Sequence, residues 1–133
     1  SNEELDEILD IALISGLDGI ITTNATYSKD GLTTSAKMLK RTGDGLISGK
    51  PLYNRCLEMI KYISKKTKGQ LPIIACGGII TPMQAKEVID AGASLIQIYT
   101  GLVFKGPSLV KKINKYLAKE LKNDNCNNLY NRR

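Results

Sequence analysis

The amino-acid sequence contains no histidine and no tryptophan, and aromatic residues account for only 5% of its 133 positions. The lack of histidine excludes acid–base or metal chemistry through an imidazole within this segment. The scarcity of aromatic rings weakens the case for nucleic-acid binding, because unpaired bases need such rings as stacking platforms.

Cysteine is also rare, and the three thiols lie far apart, at Cys56, Cys76 and Cys126. An odd number without close pairs indicates reduced thiols rather than a disulfide scaffold, and their spacing is not that of metal ligands. We therefore predict no metal site. Cys56 and Cys76 are most simply packing residues, although Cys76 directly precedes a glycine pair and could alternatively be a reactive thiol.

Long apolar runs are missing as well. No stretch approaches the roughly 20 residues of a membrane span, and no signal-peptide pattern opens the chain. The composition is that of an ordinary globular domain, with 42% hydrophobic and 24% charged residues. The net charge of +6 is compatible with binding to nucleic acid or to an anionic membrane. The lysines are scattered along predicted helix faces, however, so we interpret them as a solvated surface and predict no nucleic-acid partner.

Between residues 71 and 107 the chain twice alternates a buried strand with a glycine turn. The apolar run Leu71–Ala75 predicts a strand that ends at Gly77-Gly78, and Ser94–Tyr99 predicts a second strand that ends at Thr100-Gly101. Glycine lets a ligand approach the backbone amides closely, and amides at such turns suit anions, phosphate above all. The two turns therefore predict a phosphate site. The alternative is that the glycines only allow strand, turn and helix to pack closely.

Helix signals follow both strands. Thr81 and Gln84 form a capping box around Pro82, which suits a first helical position, and Gly92 suits the helix end. The segment Leu102–Lys105 has the length of the short extra helix that often completes the phosphate site after strands seven and eight of a (β/α)8 barrel.

The rest of the chain continues the same alternation. A helix is predicted from Ser1 to Gly16, followed by a strand at Gly19–Thr23 and then by a long polar loop from Ser28 to Ser48. Further helices are predicted from Pro51 to about Lys66 and from Pro107 to about Lys122. The Asn-rich segment 123–133 is interpreted as a flexible tail.

The predicted order is thus one helix and then three β-loop-α units, with strands near 19–23, 71–76 and 94–99. Helices that alternate with buried strands predict an α/β fold with parallel strands. A complete (β/α)8 TIM barrel needs eight such units and about 250 residues. We therefore predict that residues 1–122 are the C-terminal portion of a TIM barrel, about its last three units, and that a strand preceding the first helix is absent from this sequence.

Three segments, IIACGGI, SGKPL and GASLIQIYTGLVFKGP, closely resemble the C-terminal part of class 2, quinone-dependent dihydroorotate dehydrogenases. The resemblance extends from Ser1 to about Leu121. The Tyr-Thr-Gly turn favours class 2, because class 1 relatives carry Gly-Thr-Ala there.

This resemblance implies FMN as the cofactor and assigns ten residues to its pocket. The FMN phosphate would be bound by the two glycine turns, and three residues would line the flavin side. Asn24 would orient the pyrimidine, and Ala25 would touch the pyrimidine. The implied FMN contacts are Gly77, Gly78, Tyr99, Thr100, Gly101, Thr23, Ser48 and Gly49; the implied substrate contacts are Asn24 and Ala25.

The sequence departs from the family pattern in two places. Ala25 stands where a threonine is expected, which removes one hydroxyl contact to substrate. The loop Gly43–Gly49 looks slightly longer than the family's Gly-Gly-Leu-Ser-Gly, so the positions of Ser48 and Gly49 are taken from the Lys50-Pro51-Leu52 that follows.

The implied activity of the full-length protein is oxidation of dihydroorotate to orotate in pyrimidine biosynthesis, with a proton leaving C5, a hydride passing from C6 to FMN, and a quinone as final acceptor. No catalytic residue is expected in this segment. The catalytic serine, the quinone site and the membrane-associated helices would lie in the N-terminal half, which would place the protein at the mitochondrial inner membrane or the bacterial cytoplasmic membrane. Two alternatives stay open: another FMN- or sugar-phosphate-binding barrel, and a basic non-enzymatic module that binds nucleic acid.

Overall fold

The computed structural model describes residues 2–30, 32–41 and 43–130, with 123–130 as backbone only. Three short strands alternate with helices along the chain, and a 3-10 turn at Lys50–Leu52 leads into the third helix. The strands are β1 (Ile20–Thr22), β2 (Ile73–Ala75) and β3 (Leu95–Ile96). The helices are α1 (Asn2–Ile14), α2 (Ala36–Arg41), α3 (Tyr53–Thr67), α4 (Pro82–Asp90), α5 (Thr100–Lys105) and α6 (Ser108–Tyr130).

The three strands form one parallel sheet in the order β1-β2-β3. Parallel neighbours in sequence order, each followed by a helix, are the repeating unit of a β/α barrel. The prediction of parallel β/α units is confirmed, although each strand is shorter than predicted.

The sheet is covered by helices on one face only. Ile73, Ala75 and Thr22 point toward the helices and are buried, whereas Ile21 and Leu95 on the opposite face are 59% and 61% exposed. The prediction that the first and third strands are fully buried is therefore wrong for this chain. In a closed barrel the uncovered face points into the interior, which is filled by side chains from the other strands.

The core lies between the sheet and α1, α3, α4 and α6. The spacing of apolar residues predicts Leu52, Cys56, Met59, Ile60 and Ile63 as the inner face of α3. This is confirmed, since Cys56, Ile60 and Ile63 are each 0% exposed and the other two pack against or within the core.

The spacing of apolar residues predicts Val110, Ile113, Leu117 and Leu121 as the inner face of α6, and half of this prediction is wrong. Ile113 is buried and Leu117 packs partly buried against the core, but Val110 is exposed because it lies beside the open edge of β3, and Leu121 is exposed beyond the core.

Helix α4 begins as its sequence predicts. The Thr81 hydroxyl accepts a hydrogen bond from the Gln84 amide at 3.2 Å, and Pro82 occupies the first turn. The Gln84 side chain in turn accepts from the Ile80 amide at 3.0 Å, one residue before the position expected for a capping box. The turn that precedes α4 is thereby tied to the helix.

Helix α1 is held against α3 by a polar link. The carboxylate of Asp6 accepts from the Lys66 ammonium at 2.8 Å and from the Tyr62 hydroxyl at 2.7 Å. These two bonds hold the pKa of Asp6 below its usual value. The link lies on the outside of the fold, away from the carboxyl ends of the strands.

At the two ends of the chain, the structure either differs from the predictions or does not describe the residues concerned. Helix α6 runs to Tyr130, past the predicted end near Lys122, whereas flexibility of 123–133 stays a prediction. The predicted role of Ser1 as a helix cap lies outside the described residues. No helix within the described part of the chain combines the length and apolarity needed to cross a membrane.

Candidate functional site

A pocket of about 400 Å³ opens at the carboxyl ends of the three strands. It is formed where the segments after β1, before α3, after β2 and after β3 converge. All ten residues that the sequence predicts for a binding site line it, from four separate parts of the chain. Its lining comprises Thr23, Asn24, Ala25, Leu46, Ser48, Gly49, Leu52, Cys76, Gly77, Gly78, Ile79, Gln97, Ile98, Tyr99, Thr100 and Gly101.

The Gly77-Gly78 turn packs directly against its surroundings. A Cβ atom at Gly77 would lie 2.9 Å from the Thr23 hydroxyl, and one at Gly78 would lie 2.7 Å from the backbone nitrogen of Tyr53. Gly78 also has a φ of +67°, which side chains rarely adopt. The glycines are therefore required for close packing of the turn, in addition to whatever ligand the turn binds.

The segment before α3 closes the pocket on another side. Gly49 has a φ of +81°, and a Cβ atom there would lie 2.8 Å from Cγ2 of Thr100. The hydroxyls of Ser48 and Thr100 are 3.1 Å apart and share a hydrogen bond. This contact joins the long loop to the turn after β3, although 52 residues separate them in sequence.

The turn after β3 becomes helix α5 at once, two residues earlier than predicted. A Cβ atom at Gly101 would lie 2.6 Å from the carbonyl oxygen of Ile79, so this turn also packs on the first one. No side chain caps the start of α5. The Tyr99 ring is 77% exposed beside the pocket mouth.

The polar residues after β1 occupy the third side of the pocket. The Thr23 hydroxyl donates to the carbonyl oxygen of Cys76 at 3.3 Å, which ties the ends of β1 and β2 together. The side-chain oxygen of Asn24 accepts from the amide of Ala25 at 2.8 Å. This leaves the two N–H donors of the Asn24 side chain for an oxygen atom of a ligand.

The described residues that line the pocket include no Asp, Glu, Lys or Arg. Its polar groups are hydroxyls, two side-chain amides, one thiol and the backbone. Such a lining binds an anion through N–H and O–H donors rather than through a full opposite charge. The five lysines of α6, which the sequence assigns to a solvated face, are exposed and away from the pocket.

The two described thiols have different surroundings. Burial, reinforced by the nearby Cys76, raises the pKa of Cys56 to about 11, and its Sγ lies 3.6 Å from the carbonyl oxygen of Thr22. Cys76 lines the pocket and is half-buried.

We expect iodoacetamide at pH 8 to modify Cys76 in the native protein at least about tenfold faster than Cys56, because thiolate is the reactive form and Cys56 is both buried and protonated. Peptide mapping by mass spectrometry separates the two sites. Labelling in denaturant, where the two rates should converge, is the control, and equal rates in the native protein would contradict this description.

Several lining residues were not singled out by the sequence. Leu46, Leu52, Ile79 and Ile98 are apolar residues that any core could use, and Gln97 lies within a run that reads as a strand. Tyr53, which supports the glycine turn from behind, was also missed, because nothing in its sequence context distinguishes it from a first-turn helix residue.

One further depression in the described residues lies between β3 and α6. Two others overlap between α1, β1 and α3. They share Leu5, Ile8, Arg55 and Met59 and follow the open edge of β1. No cluster of described His, Cys, Asp or Glu residues could bind a metal ion.

The fold and the site together define the class of protein: a β/α-barrel segment whose binding pocket is built from turns at the carboxyl ends of parallel strands. The profile of the family described as dihydroorotate dehydrogenase matches residues 1–121. The chain belongs to the dihydroorotate dehydrogenase family.

Individual relatives agree with this assignment. The chain is 48% identical to the dihydroorotate dehydrogenase (quinone) of Trichodesmium erythraeum over 96% of its own length and 35% of the relative's. It is 41% identical to the enzyme of the same name from Corynebacterium efficiens, with 97% and 34% covered. The chain thus spans about a third of the length of the curated relatives that it matches.

Solved structures show the same correspondence. A ligand-free DHODH from Eimeria tenella superimposes with a TM-score of 0.82 at 35% identity, covering 93% of this chain and 34% of that one. The same enzyme in complex with ferulenol gives a TM-score of 0.81. These matches confirm the predicted resemblance and the prediction of a partial TIM barrel.

Proposed function

We propose that this chain is part of a quinone-dependent dihydroorotate dehydrogenase, in which it supplies the FMN phosphate site and part of the substrate site. One observation carries the proposal: all ten residues that the family resemblance assigns to FMN and substrate line one pocket. They come from positions 23 to 101 and would not converge in this way if the register of any of the four segments were wrong.

The pocket fits the phosphate end of FMN. Gly77, Gly78 and Gly101 line the pocket, and since they have no side chains, backbone forms its wall there. A Cβ atom at any of the three would collide with neighbouring protein atoms. Gly77, Gly78, Thr100 and Gly101 would bind the phosphate through backbone N–H groups, with the Thr100 hydroxyl as a further donor. Bound FMN would supply the hydride acceptor of the reaction. Thr23, Ser48 and Gly49 would line the flavin side, and Tyr99 would cover the phosphate at the pocket mouth.

The substrate would lie beside Asn24. The free N–H donors of its side chain suit a carboxylate or ring carbonyl oxygen of dihydroorotate. Ala25 presents only a methyl group where a hydroxyl is expected, so substrate orientation would depend more heavily on Asn24. The family resemblance implies that the base that takes the C5 proton is a serine in the N-terminal half, and we therefore assign that base to the remainder of the protein.

The remainder of the barrel would cover the surface that this chain leaves exposed. Ile21, Ile74 and Leu95 lie side by side on the uncovered face of the sheet, and both edge strands have a free side. Apolar surface of this kind is expected to be buried in the barrel interior. The quinone site and the membrane-associated region would also belong to that remainder, which would place the protein at a mitochondrial inner or bacterial cytoplasmic membrane.

The test uses the complete protein that contains this segment. The purified protein should carry stoichiometric FMN, and anaerobic addition of dihydroorotate should bleach the absorbance of the bound oxidised flavin as orotate forms. Adding a quinone should then reoxidise the flavin and restore the absorbance, with reduction of the quinone to the quinol. Asn24→Ala should retain the flavin and lower kcat/KM for dihydroorotate by about a hundredfold, because lost polar contacts to a substrate cost roughly 1.5–3 kcal/mol each. A flavoprotein that dihydroorotate does not reduce would instead be another barrel enzyme.

A further inference from the structure

Tyr53 connects α3 to α4 behind the pocket. It is the first residue of α3, and its side chain is only 9% exposed. Its hydroxyl donates a hydrogen bond to the carboxylate of Glu87 and lies 3.4 Å from the carbonyl oxygen of Gln84. Burial, together with the bond to Glu87, raises the pKa of Tyr53 above its usual value, so the hydroxyl remains a donor throughout the neutral range.

The backbone of the same residue forms the surface on which the glycine turn rests. A Cβ atom at Gly78 would lie 2.7 Å from the nitrogen and 3.0 Å from the Cα of Tyr53, and 2.7 Å from the carbonyl oxygen of Gly49. Tyr53 does not itself line the pocket. Its effect on a ligand therefore passes through neighbours that do line the pocket: the Gly77-Gly78 turn, Gly49 and Leu52.

Within the described part of the chain, no side-chain cap supports the start of α3, where Leu52 occupies the N-cap position. The Tyr53 hydroxyl instead fastens this turn to α4, through the carboxylate of Glu87 and the carbonyl oxygen of Gln84. Hydrogen bonds to a phosphate depend steeply on angle and distance, so a shift of a few tenths of an ångström at the turn would weaken them.

We propose that Tyr53 is a positioning residue of the pocket, whose hydrogen bond to Glu87 holds the surface that sets the placement of the Gly77-Gly78 amides around a phosphate. The inference rests on the proposed FMN site and adds to it a residue that touches neither cofactor nor substrate.

The test compares FMN with riboflavin, which is the same flavin without the phosphate. In the complete protein stripped of flavin, Tyr53→Phe should weaken FMN binding about tenfold, equivalent to about 1.4 kcal/mol, and leave riboflavin binding within about twofold. Glu87→Gln retains an acceptor oxygen but loses the charge, so its loss of FMN affinity should be smaller. The double variant should be no weaker than Tyr53→Phe alone, because both changes act on one bond. Titration by flavin fluorescence measures the affinities for FMN and for riboflavin in the wild type and in each variant.

Tyr62→Phe is the matched control. Tyr62 lies in α3, like Tyr53, and its hydroxyl donates to the carboxylate of Asp6 at 2.7 Å, but Tyr62 does not line the pocket. The ratio of FMN to riboflavin affinity should be unchanged in this variant. Equal losses of affinity for FMN and riboflavin in Tyr53→Phe would show a general structural role and overturn the inference. A Tyr53→Phe protein that keeps the wild-type preference for FMN would overturn it as well. A wild-type protein with no preference for FMN would refute the proposed phosphate site itself, and the inference with it.

Discussion

Gly78→Ala should leave the complete protein with little or no bound flavin. The added Cβ would lie 2.7 Å from two backbone atoms, the Tyr53 nitrogen and the Gly49 oxygen, neither of which can move alone. The turn must shift, and amides that shift lose their alignment with the phosphate. Two lost hydrogen bonds to a charged group, at roughly 1.5 kcal/mol or more each, correspond to at least a hundredfold increase in the Kd for FMN. The flavin content after gel filtration and the Kd by titration are the measurements.

The physical reason here differs from the one that the sequence alone indicates. From the sequence, the lack of a side chain at Gly78 is interpreted as leaving space for the phosphate. In the structure, a side chain at this position would point toward Tyr53 and Gly49. Substitution would therefore disturb the wall of the pocket rather than fill its interior.

Gly69→Ala provides the control for backbone strain. Gly69 has a φ of +73°, close to the +67° of Gly78, but nothing lies within 4 Å of an added Cβ. Both variants carry the strain of a left-handed alanine, roughly 1–2 kcal/mol, and only Gly78→Ala adds the collision. Flavin content should thus remain normal in Gly69→Ala. Equal retention of flavin by both variants would show that the close packing at Gly78 is not needed for cofactor binding.

The 133-residue chain on its own should show no turnover of dihydroorotate and should self-associate. Its sheet has a free edge on β1 and another on β3, and free edges expose unpaired backbone groups. The apolar row on the uncovered face, with Ile21 and Leu95 about three-fifths exposed, adds to this. Each 100 Å² of apolar surface left in water forfeits about 2.5 kcal/mol, against a net stability of roughly 5–15 kcal/mol for a whole domain.

Light scattering after size exclusion and an orotate assay with FMN and a dye acceptor test this expectation. The complete protein, assayed at the same molar concentration, shows that the assay can detect turnover. A monomeric chain that turns over at a rate near that of the complete protein would contradict both the assignment of the catalytic base to the remainder and the partial-barrel interpretation of the pocket.

Local sequence signals were sufficient for much of the fold. Thr81 and Pro82 mark the start of α4, because their effects act within one helical turn. The apolar spacing in α3 correctly predicts its buried face, since that face meets the sheet of this same chain. The strand order and the parallel direction follow from the β/α alternation, because a strand that returns through a helix pairs in parallel with the previous one. The ten positions that line one pocket were predicted by resemblance to a known family rather than by local signals.

Tertiary structure alone decided the features that depend on neighbours far apart in sequence. The exposure of Ile21, Leu95 and Val110 depends on which surfaces are covered by other parts of this chain. The sequence does not distinguish an apolar residue that is covered from one that is not. An added Cβ atom at Gly78 would collide with Tyr53, which lies 25 positions earlier in the sequence. The role of Tyr53 depends in turn on Glu87 in another helix. Periodicity and turn preferences describe the nearest few residues, whereas the pocket is built from contacts such as Ser48 to Thr100 that only the folded chain creates.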